Sequence, residues 1–297
     1  MKKIFYLLFV LTSLSIPQGC DEPPITVPDD EPGLESMLLT CTQTITNESL
    51  TYCDIEKSNE QLEIWTWNLR FFPQDGTTQQ SVINVIEYYQ PDIIAFQEIN
   101  NRSDMLEVID AMPLYEGWVV NVSGSLDLAF AYNTCTVKSL ADPIIILDDI
   151  WPRPPSYWSA SFEDNVINLM NLHLKCCGDG VEDRLDATRK IQEYILEQPD
   201  VPIILLGDFN DEIEEESILP FLLDTVNFRY ADEHISYGES VNFSFPSWPS
   251  DIDHILINQP LFSRIDTAAT VLLDHCIPSY SQSISDHRPV AALFSFQ

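Results

Sequence analysis

Short apolar runs that end in an acid, an amide or an imidazole recur along this chain, and that habit restricts its fold more than any other feature. Residues 61–68 alternate in part and are rich in aromatic and β-branched types, so they read as a strand, and Asn68 ends it. Residues 92–98 form an apolar run closing on Gln97 and Glu98. The run at 165–174 carries His173, and the run at 201–206 is followed by Asp208 and Asn210. Asp286 and His287 stand just ahead of a last run at 289–296. A strand covered on both faces is apolar along its length. Polar groups gathered at strand ends therefore mark the edge where a sheet meets solvent and a site can form.

Further strand-like runs lie at 117–122, 127–133, 135–140, 157–162, 252–257 and 268–275, and helical spacing appears at 77–89, 102–112 and 181–197. Pro91 stops the first of these helices. Strands dominate with a few helices between them. The pattern predicts an α/β four-layer sandwich, two packed mixed β-sheets flanked by helices.

The chain opens with Lys2 and Lys3 and a mostly apolar stretch from Ile4 to Leu14, which reads as an export signal over residues 1–19. Gly19-Cys20 resembles a lipoprotein cleavage site, with Cys20 as the lipidated residue, and a lipid there would anchor the protein to a bacterial membrane; the alternative is an ordinary signal peptide cut nearby, which would leave the protein secreted or periplasmic. Residues 20–60 hold ten acids and a single base, Lys57, and read as an acidic, proline-containing tether. Residues 61–297 suffice for one large domain. Of the formal charge of −33, the signal contributes +2 and the tether −9, leaving the domain at −26. No basic stripe of the kind that grips long nucleic acid is present. Apart from Cys20, six cysteines remain, and in an exported chain an even number suggests disulfides. Cys41–Cys53 is the expected local bridge. Cys176-Cys177 could close a vicinal bridge, or each could reach Cys135 or Cys276. No Cys-x-x-Cys pair supports a zinc site.

Six ordered segments then carry a resemblance. They are Trp67-Asn68-Leu69-Arg70, Phe96-Gln97-Glu98, Asn171-Leu172-His173-Leu174, Leu206-Gly207-Asp208-Phe209-Asn210-Asp211, Ile252-Asp253-His254-Ile255-Leu256 and Ser285-Asp286-His287-Arg288-Pro289-Val290. Together they resemble the endonuclease/exonuclease/phosphatase superfamily, the deoxyribonuclease-I-like fold, over residues 62–296. The resemblance implies a phosphoester hydrolase using Mg²⁺, with Mn²⁺ or Ca²⁺ as substitutes. It places the metal on Asn68, Glu98 and Asp286. His173 and His287 would flank the phosphate, Asp253 would orient His287, Asp208 and Asn210 would hold water and a phosphate oxygen, and Arg153 would donate to the phosphate. Which group acts as acid or base, and whether one or two metals take part, stays open.

The residue types suit that chemistry. Hard carboxylate and amide oxygens match Mg²⁺, and an imidazole can move a proton near neutrality. His254 and Asp211 are not carried into the site and are read as exposed loop polarity. His234 and His275 match no motif, the acidic run Glu212 to Glu216 reads as a solvated helix start, and Trp151, Trp158 and Trp248 read as core or rim packing with base stacking as the alternative. The leading expectation is a monomeric nuclease outside the cytoplasm. The alternatives are a phospholipase-C-like enzyme such as a sphingomyelinase, a sugar or inositol phosphatase, and a surface binding protein that has lost catalysis.

Overall fold

The computed structural model describes residues 60–122 and 126–296. The signal, the lipid on Cys20, nearly all of the tether and the Cys41–Cys53 bridge fall outside the described residues. The first sheet holds β1 (Gln61–Phe72), β2 (Ile93–Ile99), β3 (Tyr115–Val120), β4 (Asp127–Asn133), β12 (Ile265–Thr270) and β13 (Val290–Ser295), in the order β12-β13-β1-β2-β4-β3. The second holds β5 (Val137–Ser139), β7 (Ser156–Phe162), β8 (Asn165–His173), β9 (Ile203–Asp208), β10 (Phe228–Tyr230) and β11 (Asp253–Asn258). Its order is β10-β11-β9-β8-β7-β5, and β6 (Ile144–Ile145) pairs with β7.

Each sheet contains one parallel pair, β1 with β2 and β8 with β9. Parallel neighbours need a crossover, which helices supply. Helix α1 (Thr78–Tyr89) links the first pair and α3 (Val181–Leu196) the second, while α2 (Arg102–Asp110) follows β2. Gln90 caps α1 in a left-handed conformation (φ 51°), its N–H donating to the Ile86 carbonyl, so the chain turns before Pro91. The Asn101 side chain accepts from the Ser103 and Asp104 amides at the start of α2.

Strand parity sorts the apolar residues into layers. Leu62 and Ile64, Ile93 and Ala95, Ile167 and Leu169, Ile204 and Leu206, and Ile255 and Ile257 face the interior between the sheets. Trp65 and Trp67 pack outward with Val82, Val85 and Ile86 of α1, and Met170 and Leu172 pack outward with Ala187 and Ile191 of α3. The result is the expected four-layer sandwich. Trp158 lies wholly inside it, among Trp118, Phe130 and Tyr132, which settles that residue as core.

Some boundaries differ from expectation. The run at 268–275 is not one strand, because β12 ends at Thr270 where its partner β13 begins and residues 273–276 turn into a short helix. The run at 135–140 keeps only three strand residues. The three-residue edge strand β10 carries no periodic signal of its own. Neither alternative weighed for Cys176 and Cys177, a vicinal bridge or bonds to Cys135 and Cys276, is formed here: both are exposed free cysteines. Neither Cys135 nor Cys276 is free.

Candidate active site

The parity that builds the core also builds the site. Followed to their ends, the same inward positions change from apolar to polar: Thr66 and Asn68 on β1, Gln97 on β2, Asn171 and His173 on β8, Asp208 on β9 and Asp253 on β11. All of them are buried. Below the site the two sheets are stitched by side-chain amides. Gln97 Nε2 donates to Asn171 Oδ1 at 2.8 Å and to Thr66 Oγ1 at 3.0 Å, and Asn171 Nδ2 donates to the carbonyls of Phe96 and Ala129.

Glu98 reaches the site by a different route. Its position on β2 matches the outward residues Ile94 and Phe96. The ladder is irregular here, however, and Glu98 takes φ 62°. A bulge of this kind re-aims a side chain next to an active site. Arg70 and Phe71, at the matching irregularity in β1, also have positive φ (42° and 51°), and the Phe71 amide donates to Glu98 Oε2 at 2.9 Å.

Two donor groups with ligand atoms within 4.8 Å of one another follow: Glu98, His173 and Asp208, and Asp208, Asp253 and His287. Asp208 belongs to both. Its Oδ2 accepts from Asn68 Nδ2 at 2.8 Å, and its Oδ1 accepts from the Asn210 amide at 2.8 Å. Burial, then the nearby charge of Asp253, raises its carboxyl to about 7, with His287 opposing. Gly207 makes this placement feasible: it has φ 149°, and a Cβ there would collide with the Leu172 carbonyl of the neighbouring strand.

The two histidines differ. His287 Nδ1 lies 2.7 Å from Asp253 Oδ2, and its ring packs on Phe245. Burial alone would lower its pKa. The charge and hydrogen bond of Asp253, with Asp208 and Asp286 behind them, raise it to about 10 and make it an imidazolium. His173 Nε2 stands 3.6 Å from Asp208 and 3.7 Å from Glu98, while its buried Nδ1 has no hydrogen-bond partner among the described residues. Burial first, then the positive charges of Arg153 and His287, holds it well below the usual histidine value, so it is neutral.

Other expected site residues take positions the sequence does not reveal. Asn68 turns its nitrogen toward Asp208 and Glu98 (2.8 and 3.3 Å), and its oxygen accepts from the Arg70 amide. Arg153 donates to the carbonyls of His173 (2.9 Å) and Leu174 (2.8 Å), fixing the end of β8. Asn210 Nδ2 donates to the same Leu174 carbonyl. Asp286 lies outside both donor groups. It pairs with Arg70 at 3.3 Å and stands 4.0 Å from His287 Nε2, and its Oδ1 has no hydrogen-bond partner among the described residues.

Positioning residues given no role from the sequence surround the site. Ser285 Oγ donates to the Asn68 carbonyl and accepts from the His287 amide. Tyr280 donates to the His287 carbonyl at 2.6 Å, and Ser244 Oγ accepts from the Asp253 amide. Arg288 clamps Asp274 through two nitrogens at 2.7 Å each. The S-D-H-R segment is the available signal, since each of its four residues holds or forms the site.

His254 corrects an expectation. It is fully buried on β11, facing the outer side of the second sheet, and is not exposed loop polarity. Its Nδ1 lies 2.7 Å from Asp232 and its Nε2 lies 3.1 Å from the Asp211 carbonyl. With Asp232 and Asp251 it forms a third close donor group. Both ring nitrogens face acceptors, so both carry protons and neither offers a lone pair to a metal.

The active-site cluster does suit a divalent cation. Glu98 and Asp208 bring hard oxygens together, and one oxygen each of Asp286 and Asp253 is buried without a hydrogen bond among the described residues.

Comparison with known proteins agrees with this geometry. A sequence search among curated proteins gives no match. Solved structures that superpose well include TDP2 of D. rerio complexed with single-strand DNA product (16% identity, TM-score 0.67, 80% of this chain and 100% of that one). Another is an endonuclease/exonuclease/phosphatase family protein of Bacteroides thetaiotaomicron (19%, 0.61, 80% and 98%), and a third is the mannosyl-6-phosphatase of Bacteroides thetaiotaomicron VPI-5482 (18%, 0.61, 79% and 100%). The profile of the Endonuclease/Exonuclease/phosphatase family matches residues 65–287. The span of that match takes in the polar strand ends and loops described above, from Asn68 to His287, and the chain therefore belongs to the endonuclease/exonuclease/phosphatase family, whose members are hydrolases acting on phosphoester bonds.

Proposed function

We propose that this protein is an exported, divalent-metal-dependent phosphodiesterase whose substrate is a nucleic acid or a nucleotide-bearing phosphodiester. The observation that carries the reading is the charged Asp253–His287 pair, which joins the two sheets beside Asp208, the carboxylate that Glu98 and His173 also approach. Hydrolysis needs a positioned water and relief of charge on the phosphoryl oxygens. His287 Nε2, with Nδ1 held by Asp253, points a proton at the site and would neutralise a phosphoryl oxygen or the leaving oxygen. Asp208, bracketed by Asn68 and Asn210, is the carboxylate placed to accept a proton from the attacking water. Asn210 and Arg153 hold the β8 end so that neutral His173 can hydrogen-bond the phosphate. A Mg²⁺ held by Glu98, Asp208 and Asp286 would add positive charge against the phosphoryl group.

Exposed aromatic residues favour a substrate with a planar ring. Phe71 is 58% exposed beside Glu98, Trp151 is 68% exposed two residues before Arg153, and Trp248 is 78% exposed. Trp248 sits in a tight turn closed by the Phe245–Ser250 bridge, and Phe245 packs on His287. Stacking on such rings is worth about 1–3 kcal/mol per base. The Lys2-Lys3 start, the apolar stretch after it and Gly19-Cys20 support export and lipid anchoring.

The test is a panel of plasmid, single-stranded DNA, RNA, sphingomyelin, inositol phosphates and mannose 6-phosphate, each with Mg²⁺ and with chelator. Cleavage of a nucleic acid that chelator abolishes is the expected result. Turnover confined to the monoesters or to sphingomyelin would replace the nucleic-acid reading.

A further inference from the structure

The loop that follows His173 carries two adjacent cysteines that the site does not use. In an extended chain neighbouring side chains point to opposite faces. Here Cys177 adopts φ 72° and ψ 169°, a region that residues other than glycine rarely occupy. This turn brings its sulfur to 2.8 Å from that of Cys176, with both residues exposed.

The conformation is held from below. Buried Arg184 donates from Nη1 to the carbonyls of Lys175 (2.7 Å) and Cys177 (3.0 Å), and from Nε to Asp211 at 2.8 Å. The Gly180 amide also donates to the Cys177 carbonyl. On its other side the loop is joined to the active site. The His173 and Leu174 carbonyls take the Arg153 guanidinium, Leu174 also takes the Asn210 amide, and the Leu174 amide donates to the Asp208 carbonyl at 2.9 Å. A change in the backbone at Cys176 therefore acts on groups that hold Arg153 and Asn210.

We propose that Cys176 and Cys177 form a redox modification site, a dithiol that closes to a vicinal disulfide by exchange with a low-molecular-weight disulfide and thereby changes the active-site end of β8. In the first step one cysteine loses its proton and its sulfur attacks the reagent disulfide. A mixed disulfide forms and one small thiol leaves with a proton. In the second step the neighbouring sulfur attacks the protein sulfur of that mixed disulfide and releases the second small thiol. Two protein thiols are oxidised by two electrons, and the reagent disulfide is reduced to two thiols. The hydrogen bond shared with Cys177, then burial, pushes the Cys176 thiol up to about 11. Cys176 is therefore not a ready thiolate, and closure depends on the proximity of the second sulfur.

The test uses the full chain, reduced with a mild thiol, desalted and exposed to glutathione disulfide. Free thiols are counted, the intact mass is measured and turnover of bis(p-nitrophenyl) phosphate with Mg²⁺ is followed. The expected result is loss of two thiols, a mass lower by two hydrogens with no retained glutathione, and turnover lowered about tenfold, since small misplacements in a site cost that much or more. Reduction should restore all three. Cys176→Ser should retain one glutathione and not close, and the double variant Cys176→Ser/Cys177→Ser should keep its turnover under the reagent. Two thiols persisting in excess reagent would overturn the site. Closure with unchanged turnover, or equal loss in the double variant, would overturn its link to β8. The thiol count and mass do not depend on the substrate reading, so failure of that reading leaves this outcome measurable.

Discussion

Replacing Asp232 by asparagine removes one charge from the buried Asp232–His254–Asp251 cluster, and the geometry there dictates how stability should respond. His254 is flanked by Asp232 and by the Asp211 carbonyl, and although burial opposes its charge, Asp232 and Asp251 raise it to about 9 from an ordinary value near 6.5. A histidine raised in the fold stabilises fully below about pH 6.5, and the contribution disappears as pH climbs through about 9. At about 1.4 kcal/mol per tenfold, this amounts to roughly 3 kcal/mol, in line with the about 3–5 kcal/mol lost when a buried pair is broken. Asp251 adds to the same trend: burial raises its carboxyl to about 7, so the folded chain keeps a proton that the unfolded chain releases near 3.8, and stability falls as pH rises between these values. The carboxamide in the Asp232→Asn variant can still accept from the Ile255 amide and can donate to a neutral His254, so the fold survives without the imidazolium. Urea unfolding, followed by tryptophan fluorescence from about pH 5 to 10, is the assay. Asp232→Asn should cost about 3 kcal/mol near pH 6 and little near pH 10, with phosphodiester turnover near the wild-type value. An equal loss at both ends would refute the charged-histidine argument, as would a wild-type curve that stays flat through the window.

The active site gives three further expectations. Glu98→Gln should lower turnover at least about 100-fold, the scale of losing electrostatic support for a transition state, with partial rescue by excess Mg²⁺; full activity at low metal would remove Glu98 from the site. His287→Ala should cost about 10²–10⁴ in turnover. Asp253→Asn should move the alkaline limb of the pH–rate profile toward acid, because the Asp253 charge keeps His287 protonated up to about 10 and burial alone would lower it; an unmoved limb would count against that pairing. With no basic stripe, cleavage of DNA in a monovalent-salt series at fixed Mg²⁺ should show a log–log slope in KM of roughly −1 to −3, and a steep slope would reveal a groove built from distant lysines and arginines.

What can be read from the sequence follows from strand parity. An inward position that changes from isoleucine or leucine to asparagine, histidine or aspartate at a strand end is visible in one dimension, so Asn68, His173, Asp208 and Asp253 are legible from the chain alone. Glu98 is found through its motif, although parity alone would place it outward; the left-handed bulge that turns it inward has no signature in the residues. His254 sits in a strand, one position from Asp253 and therefore on the opposite face. Its partner Asp232 is 22 residues away on another element, and an ion pair between distant segments is not written in either. Arg153 comes into the reading only through the resemblance, and whether a guanidinium grips a phosphate or two carbonyls depends on where β8 ends. The apolar run at 268–275 looks uniform because composition cannot show that the partner strand gives out at Thr270.

The amide stitching between the sheets also bears on how activity is acquired. Asn68, Glu98, Asp286 and His287 come from the first sheet and its flanking loops, whereas His173, Asp208 and Asp253 come from the second. Neither sheet alone possesses both the imidazolium and the carboxylate that orients it. During refolding, recovery of secondary structure can therefore run ahead of catalysis, but turnover can appear only as Gln97 finds Asn171 and the halves lock in register. Catalysis therefore requires that the sheets dock in register, and a chain in which they failed to dock would be enzymatically silent.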